Sequence, residues 1–172
     1  MPFWLSYFAT IFTIIVITNS YNLIDGLAGS IGFITLLFFG SWFLINGKEH
    51  FSFIALSFSG SLLAFLIFNW KPAKIFLGDS GTQIVGLLIA LNTVYFIQFN
   101  AHLPKEATFK FIANIGTPLG LLIIPLTDTI RIFLKRTLSG KSFMVADNSH
   151  IHHVLLSFGK KSQSGYNHAN IH

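Results

Sequence analysis

The sequence predicts an all-α polytopic membrane protein with about five transmembrane helices and active-site loops on the cytoplasmic face. Three observations carry this. Of 172 residues, 52% are hydrophobic and only 10% charged, whereas a soluble domain carries charge on about a quarter of its residues. Six acids and eleven Lys/Arg cannot cover a soluble surface, so the lipid bilayer is the expected solvent. Five runs contain no charge at all: Phe3–Thr18, Ser30–Asn46, Phe51–Trp70, Gln83–Phe99 and Phe111–Thr127. Finally, the polar residues gather in alternate connections, on one side of the implied membrane.

Each run is 16 to 20 residues long, against roughly 17–25 for a spanning helix at about 1.5 Å per residue. The first run borrows flanking residues to reach that length. It has neither a basic leading segment nor a small-x-small cleavage site, so it reads as a span and not as a signal peptide. One connection set holds the N-terminus, Gly47–His50 and Asn100–Lys110, with Lys48, Lys105 and Lys110 as its bases. The other holds Asn19–Gly29, Lys71–Thr82 and the tail from Asp128, with eight Lys/Arg. The excess of bases assigns the second set to the cytoplasm. All four Asp fall there as well, and both Glu fall opposite. A pore would place polar groups along its spans instead, and a transporter or metal channel is disfavoured on that ground. Cysteine is absent, which excludes disulfides and thiolate metal sites. The pI near 9.6 reflects bases set between apolar runs, and no nucleic-acid partner is expected.

Three constellations share the cytoplasmic side. In Asn19-Ser-Tyr-Asn22-Leu-Ile-Asp25-Gly26, Asn22 and Asp25 are three apart and share one face of a helical turn. An Asn amide orients and donates, and an Asp carboxylate binds a hard cation or accepts a proton. The plain alternative is a loop with Asn/Asp turn chemistry. In Asn69-Trp-Lys-Pro-Ala-Lys-Ile-Phe76-Leu-Gly78-Asp79-Ser-Gly81, Asp79 lies where the fourth span begins. There it either caps the helix or holds Mg²⁺ while the helix end and Lys71 or Lys74 face a phosphate. Phe76 stacks on a base or packs in lipid. In Asp147-Asn-Ser-His150-Ile-His152-His153, three imidazoles in four residues suit metal, phosphate or proton chemistry, or are solvated loop histidines. A smaller feature, Asp128 with Arg131 near Pro118 and Pro125, reads as an i,i+3 ion pair on a bent helix.

Together these motifs resemble the polyprenyl-phosphate N-acetylhexosamine-1-phosphate transferases of glycosyltransferase family 4. The resemblance rests on Asn19-x-x-Asn22-x-x-Asp25-Gly26, on Asn69 with Phe76-x-Gly78-Asp79-x-Gly81, and on His150-x-His152-His153. It implies transfer of a sugar 1-phosphate from a UDP-N-acetylhexosamine to undecaprenyl or another polyprenyl phosphate. UMP is released, at the bacterial inner membrane, with Mg²⁺ (Mn²⁺ as the alternative). It implies Asp79 as the metal-binding acid and Asn22 and Asp25 at the nucleotide and sugar end. It further implies Asn69 and Phe76 on uridine, and His150, His152 and His153 on the pyrophosphate or sugar. Asp25, Asp79 and the three histidines are thus the catalytic candidates.

The chain departs from the family pattern in stated ways. Members are about twice as long with around ten spans, and carry an adjacent Asp pair that this chain lacks. Their loop reads Asp-Gly-x-Asp-Gly, whereas this one reads Asp25-Gly26-Leu27-Ala28-Gly29: either Ala28 replaces the second acid or, the favoured account, a three-residue deletion closed the gap before Leu27. The expectation is a partial transferase membrane domain over residues 1–160, shortened at both ends, and a disordered tail over residues 161–172. The alternative is a non-catalytic membrane-inserted remnant, or a subunit that needs a separate N-terminal half or a second copy.

Overall fold

The computed structural model describes residues 3–70 and 73–138, with the side chains of Asp25 and Arg136 outside the description. Its elements are α1 (Phe3–Leu23), α2 (Asp25–Ile45), α3 (Glu49–Asn69), α4 (Gly78–His102), α5 (Gly116–Leu121) and α6 (Ile123–Leu138). The first four are long and apolar enough to cross a membrane. All described regular structure is helical, as the charge-free runs predict, because a spanning segment in lipid must satisfy its own backbone.

Three boundaries differ from the sequence expectation. The Asn19–Gly29 loop does not exist: α1 runs to Leu23 and α2 starts at Asp25, with Ile24 alone between them. Ser20 and Tyr21, which look like loop residues, find partners within the helix bundle. Ser20 Oγ donates to the Val16 carbonyl, and Tyr21 and Thr35 share a hydroxyl contact of 3.4 Å. Leu27 N and Ala28 N both donate to the Ile24 carbonyl and close the turn. The fourth span begins at Gly78, well before Gln83.

The fifth span starts later than Phe111 and is split at Leu122. Proline is the cause. Pro125 has no N–H for the Leu121 carbonyl, so the ladder breaks there. Leu122 N still reaches the Pro118 carbonyl, and Leu126 N the Leu122 carbonyl. Asp128 and Arg131 form the expected ion pair at 3.2 Å, with Asp128 fully buried.

Helices α2 and α4 are the centre of the bundle. Half of the membrane window of α2 is buried in protein, against 11% for α1. Lipid tails are as apolar as leucine, so close packing and hydrogen bonds hold such helices together, with little help from the hydrophobic effect. At one end the packing is aromatic. Trp42 meets Phe96 at 4.4 Å between ring centroids, and Phe51 stacks on Tyr95 at 3.7 Å. The α2–α3 connection is closed by Gly47 at φ +69°. Lys48 N bonds to the Phe43 carbonyl and Gly47 N to the Leu44 carbonyl, a Schellman stop that needs the left-handed residue. Along the bundle, α4 lies hard against α1. A Cβ on Gly86 would sit 2.8 Å from Thr18 Cα, and backbone cannot move aside as a side-chain tip can.

The return from α4 to α5 is fastened by one buried amide. Asn100 Nδ2 donates to the Phe111 carbonyl at 2.8 Å and to Asn114 Oδ1 at 3.0 Å, and Phe111 N donates to Asn100 Oδ1 at 2.9 Å. Trp42 Nε1 adds a bond to the Phe109 carbonyl. Replacing Asn100 by Leu strands the Phe111 backbone groups and should lower stability by about 2 kcal/mol. Reversible unfolding in mixed detergent micelles measures this, and an unchanged midpoint would show that the amide clamp contributes nothing.

Candidate active site

Asn19 and Asn22 occupy the last turns of α1, and Asp79, Ser80 and Thr82 the first turns of α4. The two helix ends meet through Thr82. Its hydroxyl lies 2.7 Å from Asn22 Oδ1 and 3.0 Å from the Asp79 carbonyl. Residues sixty positions apart in sequence are thereby joined by one fully buried side chain. The close approach at Gly86 is what brings them within reach: Thr82 and Gly86 are four apart and lie one turn above the other on α4.

The start of α4 is set by Gly78, whose φ of +68° turns the chain into the helix at little cost only for glycine. Leu77 precedes it as the N-cap, with no side-chain cap bond. Asp79 is therefore not the helix cap, and its exposed carboxylate sits in the first turn, where the free N–H groups and helix dipole favour anions.

Between α1 and α4 runs a groove of about 610 Å³ lined by Thr18, Asn19, Asn22, Ser80 and Gln83 at its polar end. Ile14, Ile15, Ile84 and Leu87 line its apolar end. Polarity thus falls along the groove as it descends the helices from the α1–α4 mouth. Phe76 is 74% exposed on the strip leading to Gly78. Asn69 closes that strip by donating from Nδ2 to the Ile75 carbonyl at 2.7 Å, and Lys74 N bonds to the Phe68 carbonyl. Asp25 opens α2 beside the end of α1. His150, His152 and His153, and Lys71, lie outside the described residues.

The structure thus joins Asn22 to the first turns of α4, the segment that carries Asp79, sets Asp25 one turn from Asn22 along the chain, and leaves Asn69 and Phe76 on the adjoining strip. Sequence reasoning missed Thr82, Ser80 and Gln83. The only signal for Thr82 was its place three residues after Asp79, one helical turn along; its partner Asn22 could not be read from spacing. Among the described residues no cluster of three or more His, Asp or Glu could hold a metal by itself.

The comparison with protein families now bears on this arrangement. Residues 1–97, which include α1, α2, α3 and most of α4, match the model for glycosyl transferase family 4. The chain belongs to glycosyl transferase family 4. Relatives within the family include a probable undecaprenyl-phosphate N-acetylglucosaminyl 1-phosphate transferase of Bacillus subtilis (strain 168). It is 35% identical over 91% of this chain and 42% of its own length. A decaprenyl-phosphate N-acetylglucosaminephosphotransferase of Mycobacterium tuberculosis (strain ATCC 25618 / H37Rv) is 29% identical over 83% of this chain and 39% of its own length. An undecaprenyl-phosphate alpha-N-acetylglucosaminyl 1-phosphate transferase of Escherichia coli (strain K12) is 24% identical over 93% of this chain and 43% of its own length. The chain therefore spans about two fifths of the length of the relatives it matches. No solved structure matches it. The part of the family-4 pattern present in this chain includes both helix ends that Thr82 joins.

Because the chain has no native cysteine, that junction is directly testable. A chain with Asn22→Cys and Thr82→Cys should form an intramolecular disulfide under mild oxidation in membranes. Adding Gly86→Val should slow or abolish it by forcing α4 away from α1. Equal cross-linking with and without Gly86→Val would show that the glycine does not set the approach.

Proposed function

We propose that this chain carries the α1–α4 part of a sugar-1-phosphate transferase that joins a UDP-N-acetylhexosamine to undecaprenyl or a related polyprenyl phosphate. The observation that carries this reading is the graded groove: a polar mouth at Asn22 and Ser80, beside Asp79, leads into an apolar channel between two membrane-spanning helices. An acceptor with a phosphate head and a long isoprenoid tail matches that gradient, and a soluble acceptor would not need it.

In the reaction, an oxygen of the lipid phosphate forms a bond to the sugar-linked phosphorus of the UDP-sugar. The bond from that phosphorus to the bridging oxygen breaks, and UMP leaves with that oxygen and its electron pair. Such transfer needs mostly positioning and neutralisation of developing charge. The α4 N-terminus supplies a favourable field for the phosphates. Asn22 supplies amide donors, and the exposed Phe76 ring is assigned, on the motif, to stack on uracil. Asn69 holds the strip that carries Phe76 and keeps its Oδ1 for a uracil N–H. Asp25 is assigned to the nucleotide and sugar end, and His150, His152 and His153 to the pyrophosphate or sugar, on the motif alone.

The donor set fits Mg²⁺ or Mn²⁺. A single exposed carboxylate, Asp79, next along the chain to the groove residue Ser80, suits magnesium, which accepts a sparse oxygen site because it keeps several waters. Asp79 would hold the ion, which when bound would neutralise charge on the transferring phosphoryl group.

A second reading rests on the acids. The chain contains no two adjacent acidic residues, and a membrane-inserted chain that acts only with a separate helical segment, or not at all, follows from that. UMP release from UDP-N-acetylglucosamine and undecaprenyl phosphate separates the two. The transferase reading expects release that requires Mg²⁺ and falls at least about a hundredfold in Asp79→Asn. Absence of release from the chain, with recovery on adding an N-terminal segment of a relative, would select the second.

The site end is assigned to the cytoplasmic face of the inner membrane by the excess of Lys and Arg in its connections and by the cytosolic supply of a nucleotide sugar. Single cysteines at Ser80 and Thr108 should label from opposite sides, Ser80 only after the membrane is opened to the reagent. Labelling of Ser80→Cys from outside intact cells would reverse the assignment.

A further inference from the structure

The Thr82 hydroxyl stands between two acceptors, Asn22 Oδ1 at 2.7 Å and the Asp79 carbonyl at 3.0 Å. A hydroxyl has one proton to give. The shorter contact is within the best range for O–H···O, so the proton goes to Asn22. With Oδ1 held in this way, the two N–H donors of Nδ2 are left for the groove that Asn22 lines. Thr82 itself is fully buried and does not line the groove, so any effect it has on a ligand passes through Asn22.

We propose that Thr82 is a positioning residue. By donating to Asn22 Oδ1 it presents the Asn22 NH₂ group to a phosphate oxygen at the groove mouth. This rests on the reading of the groove as a phosphoryl-transfer site. A phosphate oxygen only accepts hydrogen bonds, so it requires the donor end of the amide. The reverse amide orientation would place Nδ2 on Thr82, pass the hydroxyl proton to the Asp79 carbonyl and turn a repelling oxygen into the groove. The direction of the hydroxyl proton therefore sets which end of Asn22 a ligand meets: given to Oδ1, it leaves the NH₂ group for the groove. The same bond also ties Asn22 to the first turns of α4, the segment that carries Asp79. The phosphate belongs either to the UDP-sugar or to the polyprenyl headgroup, and the chemistry is the same for both.

The test uses the full chain in nanodiscs with ¹⁵N-asparagine, as wild type, Thr82→Ser, Thr82→Val and Asn22→Asp. Valine has the shape of threonine without the hydroxyl, and Asn22→Asp identifies the Asn22 side-chain signal by removing it. The Asn22 NH₂ pair should be well split in wild type and Thr82→Ser, and should collapse towards averaged values in Thr82→Val. UDP-N-acetylglucosamine and undecaprenyl phosphate are titrated separately. The ligand that meets Asn22 should bind about tenfold more weakly to Thr82→Val, the loss of one oriented hydrogen bond, and normally to Thr82→Ser. Asn22→Asp keeps an acceptor for Thr82 and should retain the wild-type unfolding temperature, yet bind that ligand more weakly still. Unchanged Asn22 signals in Thr82→Val, or equal weakening by Ser and Val, would overturn the proposal. If wild type binds neither ligand, the phosphoryl-transfer reading fails for the chain alone, and the Asn22 signals still decide whether Thr82 orients the amide.

Discussion

In a bilayer no water reaches the middle of a helix bundle, so a polar side chain there must find its partner in protein, and backbones must come close for that to happen. The contact of α4 with α1 meets both demands at once. Gly86 removes the side chain that would hold the two helices apart, since a Cβ there would press on the Thr18 backbone. One turn away, Thr82 reaches across to Asn22. If the approach at Gly86 is opened, the hydrogen bond at Thr82 goes with it, and with that bond the juxtaposition of the α1 and α4 ends.

The two ends of the bundle use different physics, and the difference suits different tasks. At the aromatic end, Phe39, Trp42, Phe43, Tyr95 and Phe96 fill space with rings whose edges and faces meet at 4.4 to 6.2 Å. Asn100 closes the returning segment there with its amide. Rings packed in this way have few alternative arrangements, so this end serves as the rigid base. At the opposite end the residues are small and polar, the groove is open, and the carboxylate of Asp79 faces outward. The proposed admission of a lipid from the side and a nucleotide from water would need that openness. The bundle can tolerate it because the aromatic end sets the helix positions.

The family assignment and the groove draw on the same stretch of chain, residues 1–97, but on different properties of it. The match over residues 1–97 concerns the order of motifs in the chain. The graded lining from Asn22 to Leu87 concerns polarity in space, and Ile14, Ile15, Ile84 and Leu87 belong to none of the motifs. Under the proposed function, a phosphorylated isoprenoid would account for polar residues standing at the top of an apolar groove. In the proposed reaction, which would ask mainly for oriented donors and charge neutralisation, the role proposed for Thr82 would matter as much as contact with the substrate.

Much of this was legible in the sequence. Charge-free runs of spanning length follow directly from the cost of burying charge in lipid, so the membrane class and four of the spans could be read from composition along the chain. The motif residues Asn22, Asp25 and Asp79 could be picked out because Asn and Asp stand out between apolar runs, the two Asp beside glycines. What failed was local. Asn19 to Leu23 look like a loop by residue type, yet Ser20 and Tyr21 find partners within the bundle and the helix continues. The fifth span reads as continuous hydropathy, yet Pro125 deprives one carbonyl of its donor and splits it. Hydropathy sums over side chains and is blind to where a single hydrogen bond goes. The sequence by itself determined that the chain crosses a membrane and which polar residues are candidates. Only the tertiary structure decided that Thr82 joins two of them, because that bond depends on how closely two backbones approach across sixty residues, and no local pattern encodes that distance.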